Sequence, residues 1–146
     1  MLTRMKLLGL LLVPVLCFTF LGCGPKNPTT PVQGKATFSD GSPLPEGTKV
    51  VFIPQVGKRQ SSVGVVKADG TFALEHETGT EGAEIGTYAV KLLPPDDANQ
   101  RTTFTSLVPE DYIDETLTGV KIEVKTGMAP IEIKTPIRKL RKKKKK

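Results

Sequence analysis

The feature that most constrains the fold is a series of short runs in which apolar and polar residues alternate, each ended by glycine or proline. In the first run Val32, Ala36 and Phe38 are separated by Gln33, Lys35 and Thr37. A period of two is typical of a half-buried β-strand, whereas an amphipathic helix repeats every 3.6 residues. Residues 32–137 contain no long stripe of helical period, so this part of the chain is predicted to be all-β.

Seven such runs are predicted to form strands, at residues 32–38, 48–53, 63–68, 71–74, 87–92, 120–125 and 131–134. Asp69-Gly70, between the third and fourth runs, is a strong hairpin signal. The second run is apolar on both faces, which predicts a central strand with Phe52 in the core. Seven short strands separated by turns predict a seven-stranded sandwich or barrel over residues 32–137.

The start of the chain has the pattern of a secretory signal peptide. Arg4 and Lys6 form a cationic region, and residues 7–21 form an apolar run of 15 residues interrupted by Pro14. A helix that spans a bilayer needs about 20 apolar residues, and this run is shorter. Residues 1–22 are therefore predicted to be removed on export; the alternative is a signal anchor that stays in the membrane.

The residues at the predicted cleavage site, Phe20-Leu21-Gly22-Cys23, resemble a bacterial lipobox. Gly22 and Cys23 fit that pattern, whereas Phe20 and Leu21 depart from its commonest form. The resemblance implies cleavage between Gly22 and Cys23 and a diacylglycerol thioether, with fatty acids such as palmitate, on Cys23. Two or more acyl chains give stable membrane anchoring. The alternative is plain secretion with Cys23 unmodified. Cys17 would be removed with the leader, so the mature chain would have no internal disulfide.

The two segments that flank the predicted domain differ in composition. Residues 23–31 hold three prolines and are predicted to be an extended, unpaired tether. Residues 138–146 hold eight of the 21 basic residues, and residues 24–137 carry 11 basic and 15 acidic side chains. A block of like charge is typically disordered. The cations of this tail are Arg138, Lys139, Arg141, Lys142, Lys143, Lys144, Lys145 and Lys146.

Three partners are possible for the tail. Cations bind nucleic acid by releasing counterions from phosphates, and they bind anionic headgroups at about 1 kcal/mol each. The third possibility is a solvated end without a partner. Export argues against nucleic acid, and no aromatic side chain between the lysines could stack on bases. We therefore expect an anionic envelope surface or no partner.

The connection at residues 95–118 is too long for a tight turn and is rich in carboxylates. Its apolar residues predict that it packs back onto the sheets, with a helical turn within residues 106–115. Asp111, Asp114 and Glu115 lie close together in sequence and are candidate contact residues. Calcium requires six to eight oxygen ligands, and these residues lack the spacing of a loop that wraps the ion, so a solvated acidic loop or a protein contact is favoured over a metal site.

Several of the turn and core segments resemble small bacterial lipoproteins with a transthyretin-like, carboxypeptidase-regulatory-like domain. They are residues 32–45, 50–54, 68–72, 82–83, 86–90, 108–112 and 120–124. The resemblance covers nearly the whole domain. It implies a seven-stranded transthyretin-like (prealbumin-like, Ig-like) β-sandwich and, for lipoproteins of this kind, no known catalysis. These motifs are specific for a fold and not for a function.

No catalytic constellation stands out in the sequence. The single histidine, His76, excludes any site that needs two imidazoles. It lies between Glu75 and Glu77, in what is predicted to be an exposed polar loop. Transthyretin-related hydrolases use several histidines and end in Tyr-Arg-Gly-Ser, whereas this chain ends in lysines. The glycines form no phosphate-binding loop between a strand and a helix. No enzyme activity, cofactor or metal is predicted.

Two classes of function remain open. The first is a lipid-anchored binding or structural module outside the cytosol, on the cell envelope, whose ligand is an unidentified protein or glycan. The second is a small-ligand carrier, or an enzyme with an unrecognised site, on the same fold. A pocket with convergent polar groups and shifted pKa values would favour the second class. A flat surface would favour the first.

Overall fold

The computed structural model describes residues 28–57, 59–114 and 119–138. The predicted signal peptide at residues 1–22, Cys23, the acidic residue Glu115 and tail residues 139–146 lie outside the described residues. The described part is mostly β, as the alternating runs predict.

Nine strands form in the described ranges. They are β1 (Thr29–Thr30), β2 (Gln33–Phe38), β3 (Lys49–Pro54), β4 (Ser62–Val65), β5 (Thr71–His76), β6 (Ala83–Glu84), β7 (Gly86–Leu93), β8 (Lys121–Val124) and β9 (Ile131–Thr135). The seven predicted strands are all present, as β2–β5 and β7–β9. The two-residue strands β1 and β6 were not predicted.

Seven of these strands form one curled, mixed sheet in the order β8-β7-β3-β4-β5-β2-β9. The curl follows from β5, whose residues 71–73 pair with β2 and whose residues 74–76 pair with β4. All neighbours are antiparallel except β2 and β9, which run parallel. Strands β1 and β6 pair separately as a short antiparallel ribbon.

The inward-facing side chains of these strands form the hydrophobic core. Phe52 is fully buried in β3, as the sequence predicts, and its ring centroid lies 5.8 Å from that of Tyr88 in β7. Val50 and Leu92 are buried with them. Since β3 pairs with β4 on one side and β7 on the other, it is a central strand. Burial of these apolar side chains is the main force that stabilises the fold.

The long connection between β7 and β8 folds onto the core, as predicted, but its main element was missed. Helix α1 spans Ala98–Leu107, and Asp97 caps it by accepting hydrogen bonds from the amides of Asn99 and Gln100. Only Phe104 in this helix is buried, so the sequence offers no apolar stripe from which a helix could be predicted. The predicted turn is a 3-10 helix, Glu110–Tyr112.

The predicted tether is wrong in one respect, because its residues Thr29 and Thr30 are paired. They lie opposite Glu84 and Ala83 of β6, and Thr30 is buried. Gly82 makes this possible: its φ is +95°, and a Cβ at this position would overlap the Thr30 carbonyl oxygen. The folded domain therefore starts before residue 32.

The parallel pairing of β2 with β9 gives the domain two distinct ends. The tether end contains residues 28–32, the loops at residues 55–61 and 77–85, and the turn at residues 125–130. The tail end contains the connections at residues 39–48 and 66–70, helix α1 and Arg138. The two ends are separated by the length of β2, which at 3.3 Å per residue is about 17 Å.

Candidate functional site

His76 is a buried residue, which corrects the prediction of an exposed loop histidine. It is the last residue of β5, lies opposite Ser62 of β4, and is 5% exposed. The alternation of Phe72 and Leu74 continues to His76, so the three side chains share the inward face. The pattern could have revealed this, because the period of two does not stop at Leu74.

Thr78 holds the ring of His76 at one nitrogen. The amide of Thr78 donates to Nδ1 at 3.3 Å, and the Thr78 hydroxyl lies 2.7 Å from the same nitrogen. A backbone amide can only donate, so Nδ1 accepts this hydrogen bond. Nε2 lies 3.9 Å from Oε1 of Glu84, whose side chain is also largely buried.

The row of Thr78 hydroxyl, His76 imidazole and Glu84 carboxylate has the composition of a nucleophilic triad. Such a triad also needs donors that stabilise an oxyanion. The nearby amides are already engaged: Glu77 donates to the Ser61 carbonyl, Thr78 to the His76 ring, and Gly79 to the His76 carbonyl. The row therefore closes the turn after β5, and these three amides are not available to a substrate.

Tyr88 lies next to this row and is fully buried. Its hydroxyl donates a 2.8 Å hydrogen bond to the backbone carbonyl of Glu84. Burial raises the pKa of the Tyr88 phenol, and the Glu84 charge raises it further, while the Arg59 charge opposes them. A raised phenol pKa means that the folded protein holds this proton more tightly than the unfolded chain does.

Replacing Tyr88 with phenylalanine is expected to weaken the loss of stability at alkaline pH. Above about pH 10, the unfolded chain loses the phenol proton while the fold retains it, so the free energy of unfolding falls as pH rises. Tyr88→Phe removes this dependence of stability on pH. It also removes the hydrogen bond to the Glu84 carbonyl, which should lower the free energy of unfolding by about 1 kcal/mol near neutral pH. Urea unfolding at pH 7 and pH 10.5 measures both effects.

The same substitution at half-buried Tyr112 is the matched control. It leaves Tyr88 and its hydrogen bond in place, so Tyr112→Phe should keep the alkaline loss that Tyr88 causes. An equally steep alkaline loss in Tyr88→Phe and in the unmodified protein would contradict the role of burial.

Two open clefts lie on the described surface. One, of about 530 Å³, crosses β2, β5 and β9 and includes Lys35, Lys67 and Glu132. The other, of about 510 Å³, lies at the tail end beside Val65 and Asp96.

Two carboxylates that line the second cleft are engaged within the domain. Asp96 accepts hydrogen bonds from Lys49 Nζ at 2.9 and 3.0 Å. The hydrogen bond and charge of Lys49 lower the pKa of Asp96. Asp97 also lines this cleft, and it caps α1. Asp96 and Asp97 therefore stabilise the fold.

The predicted acidic contact residues are only partly described. Asp111 lies in the 3-10 helix and Asp114 follows it; both are exposed. Within residues 28–57, 59–114 and 119–138, no group of three histidine, cysteine, aspartate or glutamate side chains could hold a metal ion. A role for this loop in contacting a partner stays a prediction.

Arg138, the first cation of the predicted tail, is held on the domain. Its amide donates to the Leu107 carbonyl at 2.7 Å, and its guanidinium donates to the Thr105 carbonyl and to Oε1 of Glu110 at 2.8 Å. Arg138 thus joins the last strand to α1 and the 3-10 helix. The other seven cations of the tail lie outside the described residues.

The edge strands of the curled sheet carry charges at their outward positions. In β8 and just beyond it, Glu123 pairs with Lys125 at 2.9 Å, and in β9, Glu132 pairs with Lys134 at 3.3 Å. Charged outward side chains discourage an edge strand from pairing with another chain. A partner that adds a strand at either edge is therefore disfavoured.

No protein-family model matches the chain, and no curated protein or solved structure does. Among the residues that the structure describes, no helix is long and apolar enough to cross a membrane. Function must therefore be inferred from the sequence and the geometry of the described domain.

Proposed function

We propose that the protein is a lipid-anchored binding or structural module of the cell envelope, without catalytic activity. The observation that carries the proposal is the position of Cys23 relative to the fold. Cys23 ends a lipobox-like motif, and the first strand pair begins at Thr29. A thioether lipid on Cys23 would hold the folded domain directly against the membrane that carries it.

The fold proposed for this module is a seven-stranded, transthyretin-like β-sandwich. The division of β5 supports it. Residues 71–73 of this strand pair with β2, beyond which lies β9, and residues 74–76 pair with β4, beyond which lie β3, β7 and β8. A sheet that changes partners in this way can fold over itself into two layers around one core.

The absence of catalysis in this proposal is supported by how the polar groups are used. The imidazole of His76 is buried and closes a turn, and Asp97 caps a helix. A small-ligand carrier, the alternative function, would need a pocket that encloses its ligand. The two clefts described above are open, so the surface of the domain is the better candidate for binding a protein or glycan.

The tail is part of this proposal as an electrostatic contact. Seven cations follow Arg138, and at about 1 kcal/mol each near an anionic surface they would bind it in a salt-dependent way. Arg138 itself is engaged with Glu110 and is assigned to the domain.

The test of lipidation is Cys23→Ser, expressed from the full chain in a bacterium that lipidates its own lipoproteins. The unmodified protein is expected to incorporate an alkyne fatty acid and to sediment with membranes, because acyl chains add about 0.8 kcal/mol of membrane affinity per buried CH₂. Cys23→Ser is expected to lose both properties.

Cys17→Ser is the control, since Cys17 lies in the predicted signal peptide; this variant should be labelled like the unmodified protein. Membrane retention of Cys23→Ser, or an unlabelled wild-type chain, would contradict the proposal.

A further inference from the structure

Two large apolar side chains are exposed at the tether end of the domain. Val56, in the loop after β3, is 67% exposed, and Ile85, between β6 and β7, is 45% exposed. Val56 has the largest exposed fraction among the large apolar residues that the structure describes. Single exposed apolar residues are common on protein surfaces, so their significance depends on what surrounds them.

Val56 and Ile85 belong to one surface, because Arg59 connects their loops. The Arg59 guanidinium donates to the Val56 carbonyl at 2.6 Å. The same side chain covers Gly86, where a Cβ would lie 2.9 Å from Arg59 Nε. The amide of Gln55 also donates to the Thr87 carbonyl at 3.0 Å. We call Val56, Arg59 and Ile85 the tether-end patch.

The tether-end patch lies beside the point where the chain enters the domain. Thr30 lies opposite Ala83, and Thr29 lies opposite Glu84, the residue directly before Ile85. Cys23 is five residues before Pro28. An extended chain covers at most about 3.6 Å per residue, which keeps Cys23 within about 18 Å of Pro28.

We propose that the tether-end patch contacts the lipid surface in which Cys23 is anchored. This inference rests on the proposed lipidation. Val56 and Ile85 would enter the boundary between headgroups and acyl chains, as apolar side chains of interfacial segments do. The Arg59 guanidinium would lie at the level of the lipid phosphates, which its planar donors suit.

The position of the anchor decides which end of the domain meets the membrane. Strand β1 enters the domain at the tether end, and the tail end lies about 17 Å away along β2. A short anchored segment before β1 therefore holds the tether end, and not the tail end, next to the bilayer.

The chain contains no tryptophan, which allows a direct test. Val56→Trp and Val65→Trp each introduce a single tryptophan at an exposed position, since Val65 is 52% exposed in β4 towards the tail end. Each mature, lipidated variant would be reconstituted on phosphatidylcholine vesicles whose acyl chains carry bromine, a quencher of tryptophan fluorescence. These lipids have no net charge, so they do not attract the lysine tail and with it the tail end.

The Val56→Trp fluorescence is expected to fall at least about twofold relative to unbrominated vesicles, since interfacial side chains reach about 5–10 Å into the acyl boundary. The Val65→Trp fluorescence should not change. Ile85→Trp repeats the test in the second loop, so that a folding defect at one position does not decide the result.

The outcomes separate the two proposals. If the acyl chain is present and the protein floats with the vesicles, but neither Val56→Trp nor Ile85→Trp is quenched, the contact is refuted and the anchor stands. Equal quenching of Val65→Trp would also refute it, because the domain would then have no fixed orientation. If the purified mature protein does not float with vesicles, the lipidation itself is refuted, and the contact falls with it.

Discussion

Replacing Phe52 with alanine is expected to lower the free energy of unfolding by about 3–5 kcal/mol, the usual cost of removing a fully buried aromatic ring. Phe52 has no exposed surface. It lies in the central strand β3, opposite Ser62 of β4 and Val90 of β7, and packs against the ring of Tyr88. The cavity would therefore open in the core beneath these three strands, whose pairing limits how far they can close it.

Urea unfolding followed by circular dichroism measures this loss. Small domains have total stabilities of about 5–15 kcal/mol, so Phe52→Ala should bring the protein close to its unfolding threshold. Val65→Ala, at a half-exposed position in β4, is the control and should change stability by less than about 0.5 kcal/mol. A loss below about 1 kcal/mol for Phe52→Ala would be incompatible with its position in the core.

The second large effect is expected at Gly82, where alanine should cost about 2–4 kcal/mol. A φ of +95° is unfavourable for any residue with a Cβ, and here the Cβ would overlap the Thr30 carbonyl oxygen. The chain can relieve that overlap only by moving β1 away from β6. We therefore expect Gly82→Ala to release Thr29 and Thr30 from the domain, together with the segment that leads to Cys23.

Gly41→Ala separates the two causes of this loss. Gly41 has a similar φ of +87°, but no atom lies within 4 Å of its would-be Cβ. Gly41→Ala should therefore lower the free energy of unfolding by only about 1–2 kcal/mol, which is the cost of the left-handed backbone conformation alone. Hydrogen exchange of the β1 and β6 amides should accelerate in Gly82→Ala alone. If both variants lost the same free energy of unfolding, and hydrogen exchange of the β6 amides stayed unchanged, the pairing of β1 would not depend on Gly82.

The strands of the sheet were predictable because each is encoded locally. The run that becomes β3 is apolar on both faces, as suits a central strand, and Val50, Val51 and Phe52 are all buried in it. Asp69-Gly70 forms the hairpin that its sequence predicts, with Gly70 at a φ of +84°. The side chain of Asp69 accepts from the amide and hydroxyl of Thr71. Turn geometry and strand period are short-range properties, so one sequence is enough to read them.

The elements that were missed depend on distant contacts. Helix α1 has a single buried residue, Phe104, so its apolar pattern carries almost no information. The sequence alone places Thr29 and Thr30 in the tether, because the pairing of β1 with β6 needs Gly82, more than fifty residues away. His76 was misplaced because its flanking glutamates masked the continuing strand period. In each case tertiary packing overrode the local composition.

The candidate functional surface was partly visible in the sequence. Gly22 and Cys23 predict the anchor without any structure, and the lysines of the tail predict contact with an anionic envelope surface or a solvated end. The tether-end patch could not be predicted, because Val56 and Ile85 are 29 residues apart and only the pairing of β3 with β7 brings their loops together. Arg59, which connects them, has no motif of its own.

The direction of the last strand has a consequence for how such a molecule would be placed in an envelope. Because β9 runs alongside β2 in the same sense, the chain enters at one pole and leaves at the other, where Arg138 is fastened to the 3-10 helix. A protein moored through its entry pole would act as a spacer. Its lysines would then be carried clear of the mooring bilayer, towards whatever anionic layer faces it across the gap.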